Sequence, residues 1–189
     1  MDKQSEIIIA AQKLFSQFGL KKVTTDDVAK EAKVSKATIY KHYKNKQEIF
    51  REVVQVETNQ MLTAIYDAID HEFSVEGKLK VFLMTKIDKI HNLINFYRVT
   101  HDTWGEHWPY IKDVHEVFMQ KEKEIFRDIL RMGNDVGELN VHDIDLQSHI
   151  LAISLKSIEY PWAVAYQEVT IKEIVDLIIE TFLNGVRKR

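Results

Sequence analysis

Apolar residues recur along almost the whole chain at intervals of three and four, with no sustained alternation to compete, so the pattern predicts helices throughout. The spacing places them at about 3–18, 25–32, 36–43, 46–71, 75–95, 97–106, 109–134, 143–166 and 170–187. Punctuation is sparse: the prolines are Pro109 and Pro161, and there are six glycines. Pro161 falls inside the eighth predicted helix and is expected to kink or end it near Ser157 to Tyr160, shaping either a pocket floor or a subunit seam. The fourth helix, if continuous, spans about 39 Å and is the natural mechanical link between an N-terminal head and a larger body.

Start signals are densest between Val23 and Lys46. Thr24 is placed to cap one short helix, with Asp27 at its third position and Val23 and Val28 as an apolar staple. Ser35 repeats the arrangement with Val34 and Ile39, only a few residues after the first helix ends near Ala32. Two helices so closely joined must cross steeply, as in a helix-turn-helix. Asn45 and Glu48 then open the long helix. Leu14, Phe15 and Phe18 of the first helix are expected to close over Val28, Ala32 and Ile39.

A 36–43 helix that buries Ile39 turns Ala37 and Lys41 outward, flanked by Thr38 and Tyr40. This small, hydroxylated and basic face suits a major groove, where lysine donates to guanine acceptors and threonine or alanine touches a thymine methyl. The start of the next helix, with Lys44 and Lys46 beside it and Tyr43 before it, is expected to hold a phosphate. Charge divides in the same sense. Residues 1–51 carry 11 Lys or Arg against 6 Asp or Glu, whereas residues 52–189 carry 15 against 23. The basic end is the one that attracts a polyanion.

Residues Ala10, Ala11, Leu14, Phe15, Gly19, Thr24, Thr25, Val28, Ala29, Ala32, Val34, Ser35, Thr38, Ile39, Tyr40, His42, Tyr43 and Lys46 together resemble the N-terminal pattern of the TetR (TetR/AcrR) family of bacterial transcriptional regulators. The resemblance covers roughly the first 50 residues. Two positions depart from it: Lys33 stands where the family usually has a turn glycine, and Ala37 where glycine or another small residue is common. A left-handed lysine at 33 would cost on the order of 1 kcal/mol. The resemblance implies an all-α fold, with a three-helix homeodomain-like head at 1–46 and a helical effector-binding and dimerisation domain at 47–189. It also implies a DNA-contacting set of Thr25, Ser35, Lys36, Ala37, Thr38, Tyr40, Lys41, His42, Tyr43 and Lys46.

In the body, the stripes at 79, 83, 87, 90 and 94, and at 111, 114, 118, 125 and 129, read as bundle core. An aromatic cluster around Gly105 and Pro109 offers walls for a mostly apolar or aromatic ligand. Candidate ligand contacts are His91, Tyr97, His101, Trp104, Trp108, Phe118, Trp162 and Tyr166. Apolar stripes in the last two helices, with Ile150 and Ile153 in one and Ile171, Ile174, Ile178 and Phe182 in the other, suit a four-helix seam between two copies.

Several classes drop out. With no cysteine there are no disulfides or thiolate metal sites, consistent with a cytoplasmic protein. His71-Glu72 and His115-Glu116 begin like a zinc-protease helix, but the second histidine is replaced by Val75 and Met119, so no metal is expected. Neither a phosphate-binding glycine loop nor a nucleophile elbow is present, which argues against an enzyme or a cofactor. No apolar run approaches the roughly 20 residues of a membrane span.

The reading is of a homodimeric, ligand-responsive repressor on a palindromic double-stranded operator, with half-sites spaced by about 34–36 Å or a multiple. Alternatives are an activator with the same head, or a small-molecule carrier or enzyme whose helix-turn-helix is vestigial. Lys41→Ala is expected to alter base preference, and Lys46→Ala to weaken binding to every sequence and flatten its salt dependence.

Overall fold

In the computed structural model, residues 2–92, 108–156 and 170–187 are described, side chains at 90–92 and 156 excepted. These residues form eight helices and no strand: α1 (Lys3–Phe18), α2 (Thr25–Glu31), α3 (Lys36–His42), α4 (Lys46–Asp70), α5 (Val75–Asn92), α6 (Trp108–Asp135), α7 (Ile144–Lys156) and α8 (Ile171–Val186). The helix expected at 97–106 and Pro161 lie outside the described residues. Two compact units emerge, one of residues 1–60 with 91–115, the other of 61–90 with 116–189.

In the first unit α1 packs on α2, and α2 on α3. Each start follows from a capping side chain, of which Thr24, Ser35 and Asn45 were read in the sequence and Asp2 was not. Asp2 caps α1 by accepting from Ser5 N at 2.7 Å. Thr24 and Asp27 form a full capping box on α2. The Thr24 hydroxyl and amide hold the Asp27 carboxyl below its usual range. Ser35 caps α3 through Thr38 N at 3.0 Å. Asn45 accepts from Glu48 N at 2.9 Å, but the Glu48 carboxylate reaches back to Lys44 N at 2.7 Å, one residue earlier than a capping box requires.

The turn between α2 and α3 is a Schellman closure, with Val34 N donating to Ala29 O at 3.0 Å and Lys33 N to Lys30 O at 3.1 Å. That closure needs a left-handed residue, and Lys33 supplies it at φ 53°. A lysine there stores about 1 kcal/mol that glycine would not.

The core of this unit holds Ile7, Ala11, Phe15, Val28, Ile39, Ile49, Phe50 and Val53. Phe15 and Phe50 meet edge-on with ring centroids 5.4 Å apart, which ties α1 to the first half of α4. Phe18 departs from expectation: it is 56% exposed, because the buried row on α1 is Ile7, Ile8, Ala11 and Phe15, and the helix ends at Phe18.

In the second unit the expected stripes at Leu79, Leu83, Phe118, Ile125 and Ile129 are buried, joined by Phe82, Phe126 and Leu130. The Phe82 and Phe126 rings lie 4.5 Å apart, bringing α5 and α6 together. Gly133 lets Leu139 fold back onto α6, since an added Cβ would stand 2.6 Å from Leu139 Cδ1. Asn134 pins the same return by donating to Val141 O at 2.8 Å and accepting from Val141 N at 2.9 Å.

Candidate functional site

The outward face of α3 is built on one buried residue, Ile39, which has no exposed surface. That anchor leaves Ser35, Lys36, Ala37, Tyr40, Lys41 and His42 exposed and Thr38 half-buried. Thr25, at the first turn of α2, stands 3.4 Å from the Tyr40 hydroxyl through its own Oγ1. The two segments therefore present one continuous polar surface. Lys36 pairs with Asp26 at 2.7 Å, and this carboxylate holds its ammonium above the ordinary range. Both partners are more than half exposed, so the pair is screened and a phosphate can replace Asp26 at little cost.

Two members of the expected DNA-contacting set are placed differently. Tyr43 ends α3 in an extended conformation that turns its ring inward; only 6% of the residue is exposed, and burial pushes its phenol up. Lys46 spends its ammonium inside the unit, donating to Leu20 O at 2.6 Å and Val23 O at 2.8 Å, with Lys21 O at 3.4 Å. It thereby closes the loop between α1 and α2, while burial lowers its ammonium from the ordinary range.

Lys46→Met should leave those carbonyls unmatched, at a cost of about 1–3 kcal/mol. A lower melting temperature, with duplex affinity falling only as the folded fraction falls, is the expected result. An unchanged melt with weaker binding to all sequences would return Lys46 to phosphate contact.

Of the expected ligand contacts, Tyr97, His101, Trp104, Trp162 and Tyr166, together with the His91 side chain, lie outside the described residues. Trp108 is half-buried in the first unit and meets the buried His115 edge-on at 5.0 Å. Phe118 is buried in the second unit. That unit also contains a cavity of about 340 Å³, lined by Tyr66, Ile69 and Asp70 of α4, Lys78 of α5, and Ile125, Asp128, Ile129 and Met132 of α6. Sequence reasoning missed it as a site. Its apolar residues read only as core, because periodicity gives the faces of helices but not the gaps between them.

Of the expected seam residues, Ile150 and Ile153 are exposed, whereas Ile171, Ile174, Ile178 and Phe182 are half-buried. The rows buried on the same helices are Leu151, Ala152 and Leu155, and Val175, Ile179 and Leu183. Each helix thus carries apolar residues beyond those its own unit covers, including Leu177 at 64% exposure. Among the described residues no cluster of His, Asp or Glu could hold a metal ion, and no helix is long and apolar enough to cross a membrane.

Comparison with known proteins agrees with this geometry. Residues 7–53, covering α1 to the first turns of α4, match the pattern described as "Bacterial regulatory proteins, tetR family". The HTH-type transcriptional regulator YhgD of Bacillus subtilis is 35% identical over 95 residues, 49% of this chain and 50% of that protein. IcaR of Staphylococcus epidermidis, a negative transcriptional regulator of the biofilm operon icaADBC, is 31% identical over 94 residues, 50% of this chain and 51% of that protein. The chain thus spans about half the length of these two relatives.

The fold is shared more widely. A transcriptional regulator from Cytophaga hutchinsonii superposes with a TM-score of 0.76 at 23% identity, over 96% of this chain and 97% of that one. The FadR regulator of Bacillus subtilis, solved in complex with stearoyl-CoA, does so at 0.71 and 20% identity, over 96% and 98%. With its capped, closely joined α2 and α3 and the match at 7–53, the N-terminal part of the chain carries the pattern of the tetR family of bacterial regulatory proteins, and its fold is shared from end to end with solved regulators.

Proposed function

We propose that the protein is a cytoplasmic, sequence-specific DNA-binding regulator of transcription that acts as a homodimeric repressor and is released from a palindromic operator by a small, mostly apolar effector. The observation that carries the DNA half is the exposed face of α3, standing on a buried Ile39 and capped by Ser35. Residues 1–46 supply the head, in which Lys41, Tyr40, Thr38 and Ala37 face base edges while Thr25, Ser35, Lys36 and His42 meet the backbone. The likeness to IcaR, a negative transcriptional regulator, supports repression. Residues 47–189 carry the effector site and the seam. The apolar residues left uncovered on α7 and α8 support the dimer, and the stearoyl-CoA held by FadR supports an apolar effector. The effector acts by preferring one of two conformers, with α4 as the covalent path between head and body.

In vitro selection from random duplexes tests the reading. A two-fold symmetric site with half-sites separated by whole helical turns is expected. Lys41→Ala should relax preference at one or two positions per half-site, worth about 1–3 kcal/mol each, while leaving affinity for random duplex unchanged. Equal losses on selected and random DNA would remove Lys41 from base reading. Failure to enrich any sequence would sink the regulator.

A further inference from the structure

Lys33 stands at φ 53° and is the one residue other than glycine with a positive φ among the described residues. The closure of the turn between α2 and α3 holds it there, with Lys33 N donating to Lys30 O at 3.1 Å and Val34 N to Ala29 O at 3.0 Å. Both bonds belong to the main chain and would form equally well with glycine, which takes this conformation without strain. The lysine side chain makes neither of them. A strained residue whose side chain does nothing for its own turn points to a use outside it.

That side chain is exposed, and it forms no ion pair or hydrogen bond among the described residues. The three carboxylates of α2 are already engaged: Asp26 with Lys36 at 2.7 Å, Asp27 with Thr24 N at 2.9 Å, and Glu31 with Lys13 at 2.6 Å. Lys33 is therefore left without a counter-charge. From residue 30 to residue 46 the chain carries six lysines against one acidic residue, Glu31, and Lys30, Lys33 and Lys36 recur every three residues across the turn. An anion meeting this edge finds the Lys33 ammonium uncommitted.

Position says which anion. In a helix-turn-helix the first helix crosses the phosphate backbone and the second enters the major groove, so the turn joining them passes the rim of that groove. Lys33 lies two residues before the Ser35 cap of α3, and a flexible four-carbon stem lets its ammonium follow a phosphate without fixed geometry.

We propose that Lys33 is a phosphate-contacting residue, a lysine held in a left-handed turn at a cost in stability so that a free ammonium stands at the rim of the groove. The inference rests on the DNA half of the proposed function and extends it to a residue outside the face of α3. It has a signature that an ordinary surface lysine lacks: relieving the turn and removing the charge move stability and affinity in opposite directions.

Thermal melting and duplex binding of the full chain, on the selected site and on random duplex across about 50–200 mM salt, test it. Lys33→Gly should melt about 2–4 °C higher than wild type. It should also bind both duplexes about fivefold more weakly or worse, with the salt slope shallower by about one per head, because a phosphate contact carries no sequence information. Lys33→Asn, which tolerates the turn but carries no charge, should lose the same affinity, whereas Lys33→Arg, which keeps the charge, should bind within about twofold of wild type. Arg131→Gln removes one positive charge from α6 and should bind as wild type does, which separates a contact from net charge.

Wild-type affinity and salt slope in Lys33→Gly, or losses in Lys33→Arg or Arg131→Gln equal to those in Lys33→Gly, would overturn the contact. A loss confined to the selected site would overturn it in favour of base reading. A melting temperature for Lys33→Gly no higher than that of wild type would overturn the trade of stability for charge. The wild-type titration keeps the two readings apart: duplex binding with an idle Lys33 removes this inference alone, and no duplex binding removes the DNA-binding head with it.

Discussion

Lys86→Met is expected to destabilise the protein by about 3–5 kcal/mol at neutral pH, and adding Glu122→Leu should recover most of that loss. The first substitution removes the cation that pairs with a carboxylate only 1% exposed. The second removes the charge that remains and puts an apolar side chain into a core that already buries Phe82, Phe118 and Phe126. Denaturant unfolding of both variants provides the comparison. A single variant as stable as wild type, or a double variant as unstable as the single, would mean that the pair is hydrated in solution.

What could be read in advance follows the range of the interactions involved. Thr24, Ser35 and Asn45 signal helix starts because a cap and its amide lie three residues apart, and all three do so in the structure. At Lys33 the sequence showed only a departure from the glycine usual there and left the turn open; the bonds from Lys33 N and Val34 N to the end of α2 are what make it left-handed. Lys46 was not legible. Its neighbours in sequence are Tyr43 and Lys44, but its ammonium is claimed by the carbonyls of residues 20–23, which tertiary folding alone brings near.

The buried pair escaped for a related reason. Counting apolar residues along α5 gives 79, 83, 87 and 90, and a lysine at 86 looks solvated until Glu122 and two phenylalanines are placed around it. The same limit applies to the cavity and to the outer rows of α7 and α8: a stripe shows which face is apolar, not whether its own unit covers it. Leu177 and Ile179 are equally apolar and two residues apart, yet one is 64% exposed and the other 3%.

Ile39→Ala should abolish sequence-specific duplex binding without touching a residue that faces DNA. A helix of seven residues has too few internal hydrogen bonds to hold itself, so the position of α3 depends on how it is docked. Ile39 is its one buried side chain, and truncating a fully buried isoleucine costs about 2–5 kcal/mol. In a small head that is enough to populate states with α3 undocked, in which Lys41 and Tyr40 lose their fixed placement. A fall in affinity for the selected site of at least a hundredfold is expected, with weak, salt-sensitive binding to random duplex retained because no positive charge has been removed. Hydrogen exchange locates the effect: amides at 36–43 should lose protection, while those at 116–130 in α6 keep theirs. Specific binding within tenfold of wild type would show that α3 is held by contacts other than Ile39.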